Sequence, residues 1–185
     1  KDDADATVAA ITRESGRVFL QQADISDDSQ VRSMVEATIT EFGRIDYLVN
    51  NAATTFRVAL DDLDGLSTEM WHRLLDVNVI GAFQCARACA PHIRQQDGGA
   101  IVNVSSYAGL NGKGTSLAYA ASKAAMNAMT KSLAAALAPE IRVNAIAPGF
   151  IDTRWHLGDE GRRVEVAAAT PLGFAAAPDN IADAV

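Results

Sequence analysis

Apolar residues recur along this chain at two different spacings, and each spacing predicts its own kind of element. A short run from Val18 to Ala23 predicts a strand that ends at Asp24. Ser26-Asp27-Asp28 then offers a helix start, and Val31, Met34, Val35, Thr38, Ile39 and Phe42 follow at helical spacing before Gly43 closes the segment. Ile45 to Val49 predicts a compact second strand, stopped by Asn50-Asn51. A loop rich in Asp and Gly runs to about Ser67. Thr68 then caps a long helical stretch through Trp71, Leu74, Leu75, Val79, Phe83 and Ala86, ending near Pro91 or a turn beyond it.

The second half repeats the alternation. Gly98-Gly99 introduces a strand over Ala100 to Val104, and a glycine-punctuated loop comes after it. Leu117 to Ala138 predicts one alanine-rich helix, ended by Pro139. Ile141 to Ile146 predicts a fourth strand, broken by Pro148-Gly149. Three of these strands are continuous runs without alternation, the pattern of strands buried on both faces. Strands alternating with helices imply βαβ units with right-handed crossovers, so the expected fold class is α/β with a doubly wound parallel sheet. Both ends are abrupt. Lys1-Asp2-Asp3 leads directly into a helix-like stretch, Ala6 to Ile11, and Asp183-Ala184-Val185 falls in the first turns of another. Residues 1–185 are therefore expected to form a single domain, incomplete at both ends, from the middle of a longer protein.

Composition narrows the function classes. The 185 residues are 49% apolar and 21% charged, with a net charge of -7. That balance argues against nucleic acid as a partner, because phosphate binding needs an excess of Lys and Arg. No apolar run has the length of a bilayer span, and no secretory signal precedes the first periodic segment. Cys85 and Cys89 lie four apart in a predicted helix, a poor geometry for a disulfide. A cytoplasmic setting is expected, with no membrane partner.

Ligands of open parallel sheets bind outside the carboxyl ends of the strands. The four predicted strands lead in turn into Asp24, Asn50-Asn51-Ala52-Ala53, Ser105-Ser106 and Pro148-Gly149. These small and short polar residues suit a flat ligand lying across the edge. Tyr119 and Lys123, four apart, share one helix face. A cation close to a phenol lowers its pKa and brings it toward use as a proton carrier. The same spacing also describes a packed tyrosine beside a solvated lysine.

Together, Asp24-Ile25, Asn50-Asn51-Ala52-Ala53, Asn78-Val79-Ile80-Gly81, Val104-Ser105-Ser106, Tyr119-Ala120-Ala121-Ser122-Lys123 and Pro148-Gly149-Phe150-Ile151-Asp152-Thr153 resemble the short-chain dehydrogenase/reductase family across nearly the whole chain. The resemblance implies a Rossmann-like fold and an NAD(P)-dependent oxidoreductase that interconverts a small-molecule ketone and a secondary alcohol by hydride transfer. It implies that Tyr119 is the catalytic acid or base and that Lys123 lowers its pKa and holds the nicotinamide ribose. The family's serine lies thirteen residues before its tyrosine, which selects Ser106 over Ser105 as the group that binds the reacting oxygen. Strand parity agrees, since Ser106 continues the face of Val102 and Val104. Asn78 would anchor a water that relays protons to Lys123.

For the cofactor, NAD or NADP, the resemblance places Asp24 and Ile25 at the adenine. Asn51, Ala52 and Ala53 would lie under the adenosine ribose, and Pro148, Gly149, Ile151 and Thr153 would line the nicotinamide. Family members usually carry glycine where this chain has Ala53. The family's glycine-rich turn, Gly-x-x-x-Gly-x-Gly, belongs to a first strand that these residues do not include, as does the second strand whose end separates NAD from NADP. The two long helices, about 68 to 92 and 118 to 138, pack against symmetry mates in the family, so a homodimer or homotetramer is expected.

Cys85, Cys89 and His92 fall on one helical face like a partial metal site, but no fourth ligand is evident and no metal is expected. The acidic run Asp61-Asp62-Leu63-Asp64 lacks calcium-loop spacing. His72 and His156 read as surface residues. The segment from Asp152 to Ala177 is expected to be a mobile lid mixing Trp155, His156 and Leu157 with Arg154, Arg162 and Arg163. Tyr107, Leu110 and Thr54 are candidate pocket residues. Within the enzyme class the sequence leaves open a 3-oxoacyl-[acyl carrier protein] reductase and a sugar, polyol or steroid dehydrogenase. A different class is a non-catalytic member acting as a cofactor-sensing or structural subunit, against which the intact set Asn78, Ser106, Tyr119 and Lys123 argues.

Overall fold

The structure is a computed structural model that describes residues 2–153, 155 and 160–185. Arg154, His156 and Leu157 of the expected lid lie outside the described residues.

Three strands, β1 (Tyr47–Asn50), β2 (Gly99–Val104) and β3 (Ile141–Ile146), form a parallel sheet in the order β1-β2-β3. Asn50 lies opposite Asn103, and Ile101 opposite Val143. Helices α1 (Asp2–Arg13) and α2 (Asp28–Phe42) precede the sheet. The first crossover comprises α3 (Thr68–Leu75), a π-helical segment (Asp76–Gly81) and α4 (Ala82–Ile93). The second comprises the short α5 (Ala108–Asn111) and the long α6 (Leu117–Leu137), and α7 (Glu160–Ala169) and α8 (Pro178–Ala182) come last.

Local chemistry sets the helix ends. The Asp27 carboxylate accepts from the amides of Ser29 and Gln30, and Gly43 closes α2 with a φ of 78°. Ser67 caps α3 one residue ahead of the expected Thr68. Ser116, fully buried, caps α6 by accepting from the amide of Tyr119.

Ile101, Ile141 and Val143 project to one face of the sheet and pack on Ala86, Cys89, Ala90 and Ile93 of α4. Val35 of α2 and Leu133, Ala134 and Leu137 of α6 complete that cluster. Both crossovers step the same way across the sheet with one hand, so their helices cover the same face. A buried polar seam crosses this core. The Asn50 side-chain amide donates to the carbonyl of Ala82 at 3.2 Å and to Asn103 Oδ1 at 2.9 Å, and Asn103 donates to Thr130 Oγ1 at 2.9 Å. Every link is paired, as buried polar groups require.

Three expectations change. Val18 to Ala23 is not a strand, because among the described residues no neighbour supplies its ladder bonds. Burial on both faces does not hold for β1, whose Tyr47 and Val49 are 69% and 47% exposed on the face away from the helices. The single long helix of the first crossover is interrupted by the π segment, with Asn78 inside it. Among the described residues no helix is long and apolar enough to cross a membrane.

Candidate active site

Main-chain pairing continues past the ends of β2 and β3. Ser105 donates its amide to Ile146 O, and Tyr107 donates to Pro148 O, each at 2.8 Å. This brings the two post-strand segments side by side, and a cleft of about 1000 Å³ opens at their carboxyl edge. Its wall brings together Asn51, Ala52, Ala53, Ser106, Tyr119, Lys123, Pro148, Gly149, Ile151 and Thr153 from the expected set. Tyr107 also lines it, whereas Thr54 and Leu110 are not on its wall.

Ser105 and Ser106 divide as strand parity predicts. Ser105 is buried and donates its hydroxyl to the carbonyl of Lys123 at 3.2 Å, tying β2 to α6. Ser106 faces the cleft, where its hydroxyl accepts from the amide of Ala108 at 3.1 Å and shares the wall with Tyr119.

Burial pushes the Tyr119 pKa above its ordinary value, and the nearby Ser106 hydroxyl pulls the other way. The Lys123 ammonium donates to the Val104 carbonyl at 2.7 Å and lies 5.9 Å from the centroid of the Tyr119 ring. Burial itself brings Lys123 down to about 8.

Three expected site residues stand off the cleft wall. Asn78 is fully buried, and its side chain is committed: Oδ1 accepts from the Thr54 amide at 2.8 Å, and Nδ2 donates to Thr54 O and Ser122 Oγ, each at 3.0 Å. Ser122 passes the link on by donating to the Tyr119 carbonyl at 2.8 Å. Asp24 accepts from Ser26 Oγ at 2.6 Å and from Arg73 at 3.3 Å, and these bonds, Ser26 first, hold its carboxyl below the usual range. Ile25 lies against Gly81, and its carbonyl accepts from Gln84 at 3.0 Å.

Sequence reasoning missed several contributors. Ser116 as the cap that sets Tyr119 was legible, since a serine directly precedes the first helical residue. Thr115, on the cleft wall, bonds Thr55 through their hydroxyls and accepts from the Val58 amide at 2.9 Å, joining the loop after β1 to the start of α6. Trp155 was noted only as part of a lid, yet its ring lies 6.5 Å from that of Tyr119. No local signal pointed to that contact.

Cys85 and Cys89 are buried, unbridged and part of the apolar packing, with burial pushing their thiols up to about 11 and about 12. Among the described residues no three His, Cys, Asp or Glu side chains converge on a point. Asp62 in the acidic run accepts from the Gly65 amide at 2.9 Å, a local turn.

A family model described as enoyl-(acyl carrier protein) reductase matches residues 1–185. The crystal structure of a short-chain dehydrogenase/reductase from Burkholderia xenovorans is 39% identical and superposes with a TM-score of 0.90, covering 98% of this chain and 73% of that one. The chain belongs to the short-chain dehydrogenase/reductase family. That family consists of oxidoreductases, and this member is 37% identical over 188 residues to the 3-oxoacyl-[acyl-carrier-protein] reductase of Thermotoga maritima, covering 100% of this chain and 75% of the relative. An NAD+-bound xylitol dehydrogenase is similar at 26% identity and a TM-score of 0.85, over 95% of this chain and 74% of the other. The parallel sheet with its flanking helices is thus a Rossmann-like α/β fold.

Proposed function

We propose that residues 1–185 form one NAD(P)-binding domain that interconverts a ketone and a secondary alcohol by hydride transfer. The observation that carries this is the placement of Ser106, Tyr119 and Lys123 together on the wall of one cleft. Two hydroxyl-bearing side chains on one wall suit a carbonyl or alcohol oxygen.

A nicotinamide dinucleotide supplies the hydride, or accepts it in the reverse direction. The cleft fits such a ligand. Its strand-end lining of Ala52, Ala53, Pro148 and Gly149 is small, and a Cβ on Gly149 would meet only open space. Its charged lining consists of Lys113 and Lys123, with no carboxylate among the described wall residues, which suits an anionic ligand. Pro148, Gly149, Ile151 and Thr153 would hold the nicotinamide, and Asn51, Ala52 and Ala53 the adenosine ribose. Asp24 and Ile25 would meet the adenine beyond the cleft wall.

The raised pKa of Tyr119 keeps its Oη protonated at neutral pH, ready to donate to the oxygen that forms during ketone reduction. Ser106 Oγ steadies that oxygen. Lys123, brought to about 8, can exchange a proton near physiological pH, and one of its three donors is already fixed on Val104. Because the Asn78 side chain is fully engaged, a water anchored there would rest on its backbone carbonyl.

Similarity to the Thermotoga relative supports a 3-oxoacyl thioester as one substrate class, and the cationic rim at Lys113 is compatible with it. Ile80 and Phe83, 47% and 39% exposed, and the exposed Ala124, Ala128, Ala135 and Ala136 of α6 support association through these two helices as a homodimer or homotetramer. A cytoplasmic location is proposed with it.

The test is Tyr119→Phe. Turnover of NADH or NADPH with active carbonyl substrates should fall by about 10³-fold while nucleotide affinity holds. Unchanged turnover would overturn the role given to Tyr119, and absence of turnover in the native chain would favour a cofactor-sensing or structural subunit.

A further inference from the structure

Arg57 and Trp155 are 98 residues apart, on the segments that extend beyond β1 and β3, and they meet beside the cleft. Arg57 Nη2 donates to the Trp155 carbonyl at 2.7 Å, and the Trp155 amide donates to Thr153 Oγ1 at 3.3 Å. Both backbone polar groups of Trp155 are therefore held. Its ring lines the cleft, tilted 46° to that of Tyr119 at a centroid distance of 6.5 Å. Trp155 nevertheless stays 40% exposed, so much of the indole has no protein neighbour. Arg57 makes no ion pair among the described residues. Among the described residues its guanidinium is engaged by the carbonyl alone, a charge-assisted bond stronger than a neutral one.

We propose that Arg57 is a positioning residue that fixes Trp155 as an aromatic wall beside Tyr119, and that this wall selects substrates carrying a flat apolar group next to the reacting carbon. The inference rests on the oxidoreductase reading above and names the substrate class of that site. An indole placed in advance offers its face to such a group without the ordering loss that a free loop residue would suffer on binding. Tilted and offset ring pairs at this separation attract beyond their buried area. A methyl group in the same place would gain little from the wall.

The chain has two tryptophans, Trp71 and Trp155, so W71F leaves Trp155 as the only indole. In that background, R57A should shift Trp155 emission to the red and raise its quenching by acrylamide, and R57K should restore both. Unaltered quenching in R57A overturns the clamp. The second arm measures NADH and NADPH oxidation with ethyl benzoylacetate and ethyl acetoacetate, which differ by phenyl against methyl at the ketone. W155A and R57A should each lower the phenyl-to-methyl ratio of kcat/KM by about tenfold and show no additive effect when combined. Equal losses on both ketones, or additive losses in the double variant, overturn the wall and leave the hydride-transfer reading intact. Absence of turnover with either ketone and either nucleotide counts instead against the proposed function, and the fluorescence arm still decides the clamp.

Discussion

Asn78 and Thr54 exchange two hydrogen bonds, one side-chain amide closing on both backbone groups of a single loop residue at 2.8 and 3.0 Å. The amide acts like a one-residue strand, holding the loop after β1 against the first crossover. Removing it strands the Thr54 amide and carbonyl, while Ser122 Oγ keeps its bond to the Tyr119 carbonyl. Asn78→Ala should therefore lose about 3 kcal/mol of stability, since each stranded group costs about 1–3 kcal/mol. The midpoint of a urea titration with unchanged slope reads this loss, and a shift below about 1 kcal/mol would refute the clamp.

Lys123 makes stability depend on pH in an unusual direction for a lysine. Its folded pKa of about 8 lies below the ordinary 10.5, so between those values the unfolded chain binds more protons than the folded one. Stability from this group is lowest below pH 8 and rises as pH climbs toward 10.5. The span corresponds to about 3 kcal/mol. Tyr119, raised by burial, works the other way once pH exceeds its ordinary value of 10.0. The Cys85 and Cys89 thiols, raised by burial, lower stability over the same range in both chains, so from pH 7.5 to 9.5 the urea midpoint of Lys123→Met should fall relative to that of the native chain.

Gly109 lets α5 touch α6. A Cβ there would stand 2.6 Å from the carbonyl carbon of Lys123 and 2.8 Å from the amide nitrogen of Ala124, both backbone atoms. Gly109→Ala must push α5, and Ser106 with it, away from Tyr119. A stability loss of about 1–3 kcal/mol is expected from the overpacking. The drop in kcat should exceed what partial unfolding explains, which parallel melting and rate measurements on one preparation will show.

The thiols of Cys85 and Cys89, held up to about 11 and about 12 by burial, should resist an aromatic disulfide reagent at pH 8. Labelling should require unfolding, so its rate in dilute urea should track the unfolding rate. Fast labelling of the native chain would contradict the packing of α4.

Most of the site was legible because its residues come directly after the carboxyl ends of strands, and the strands announce themselves by composition. Parity separates Ser106 from Ser105 in the sequence alone, because alternate residues of a strand face opposite ways. Other features had no such signature. Asn50, Asn103 and Thr130 interrupt three separate apolar elements and read as flaws until the register sets Asn50 beside Asn103. The Tyr119–Lys123 spacing gives proximity but not the direction of the ammonium, which the Val104 carbonyl decides. Val18 to Ala23 carries strand composition, yet pairing needs a neighbour that composition cannot provide. Trp155 lies in a segment without periodicity, so its approach to Tyr119 was beyond any pattern argument.

The π segment has a consequence for chain length. Each residue of an α-helix advances about 100° around the axis, so a wider turn at Asp76–Gly81 works as an indexing step between two helices. On one side Asn78 must meet Thr54, and on the other Cys89 and Ile93 must meet the sheet. Losing or gaining a residue between those points would turn one face away while the other stayed docked. The first crossover is therefore a fixed-length gauge, and among its loops and helices it is the place least able to accept an insertion.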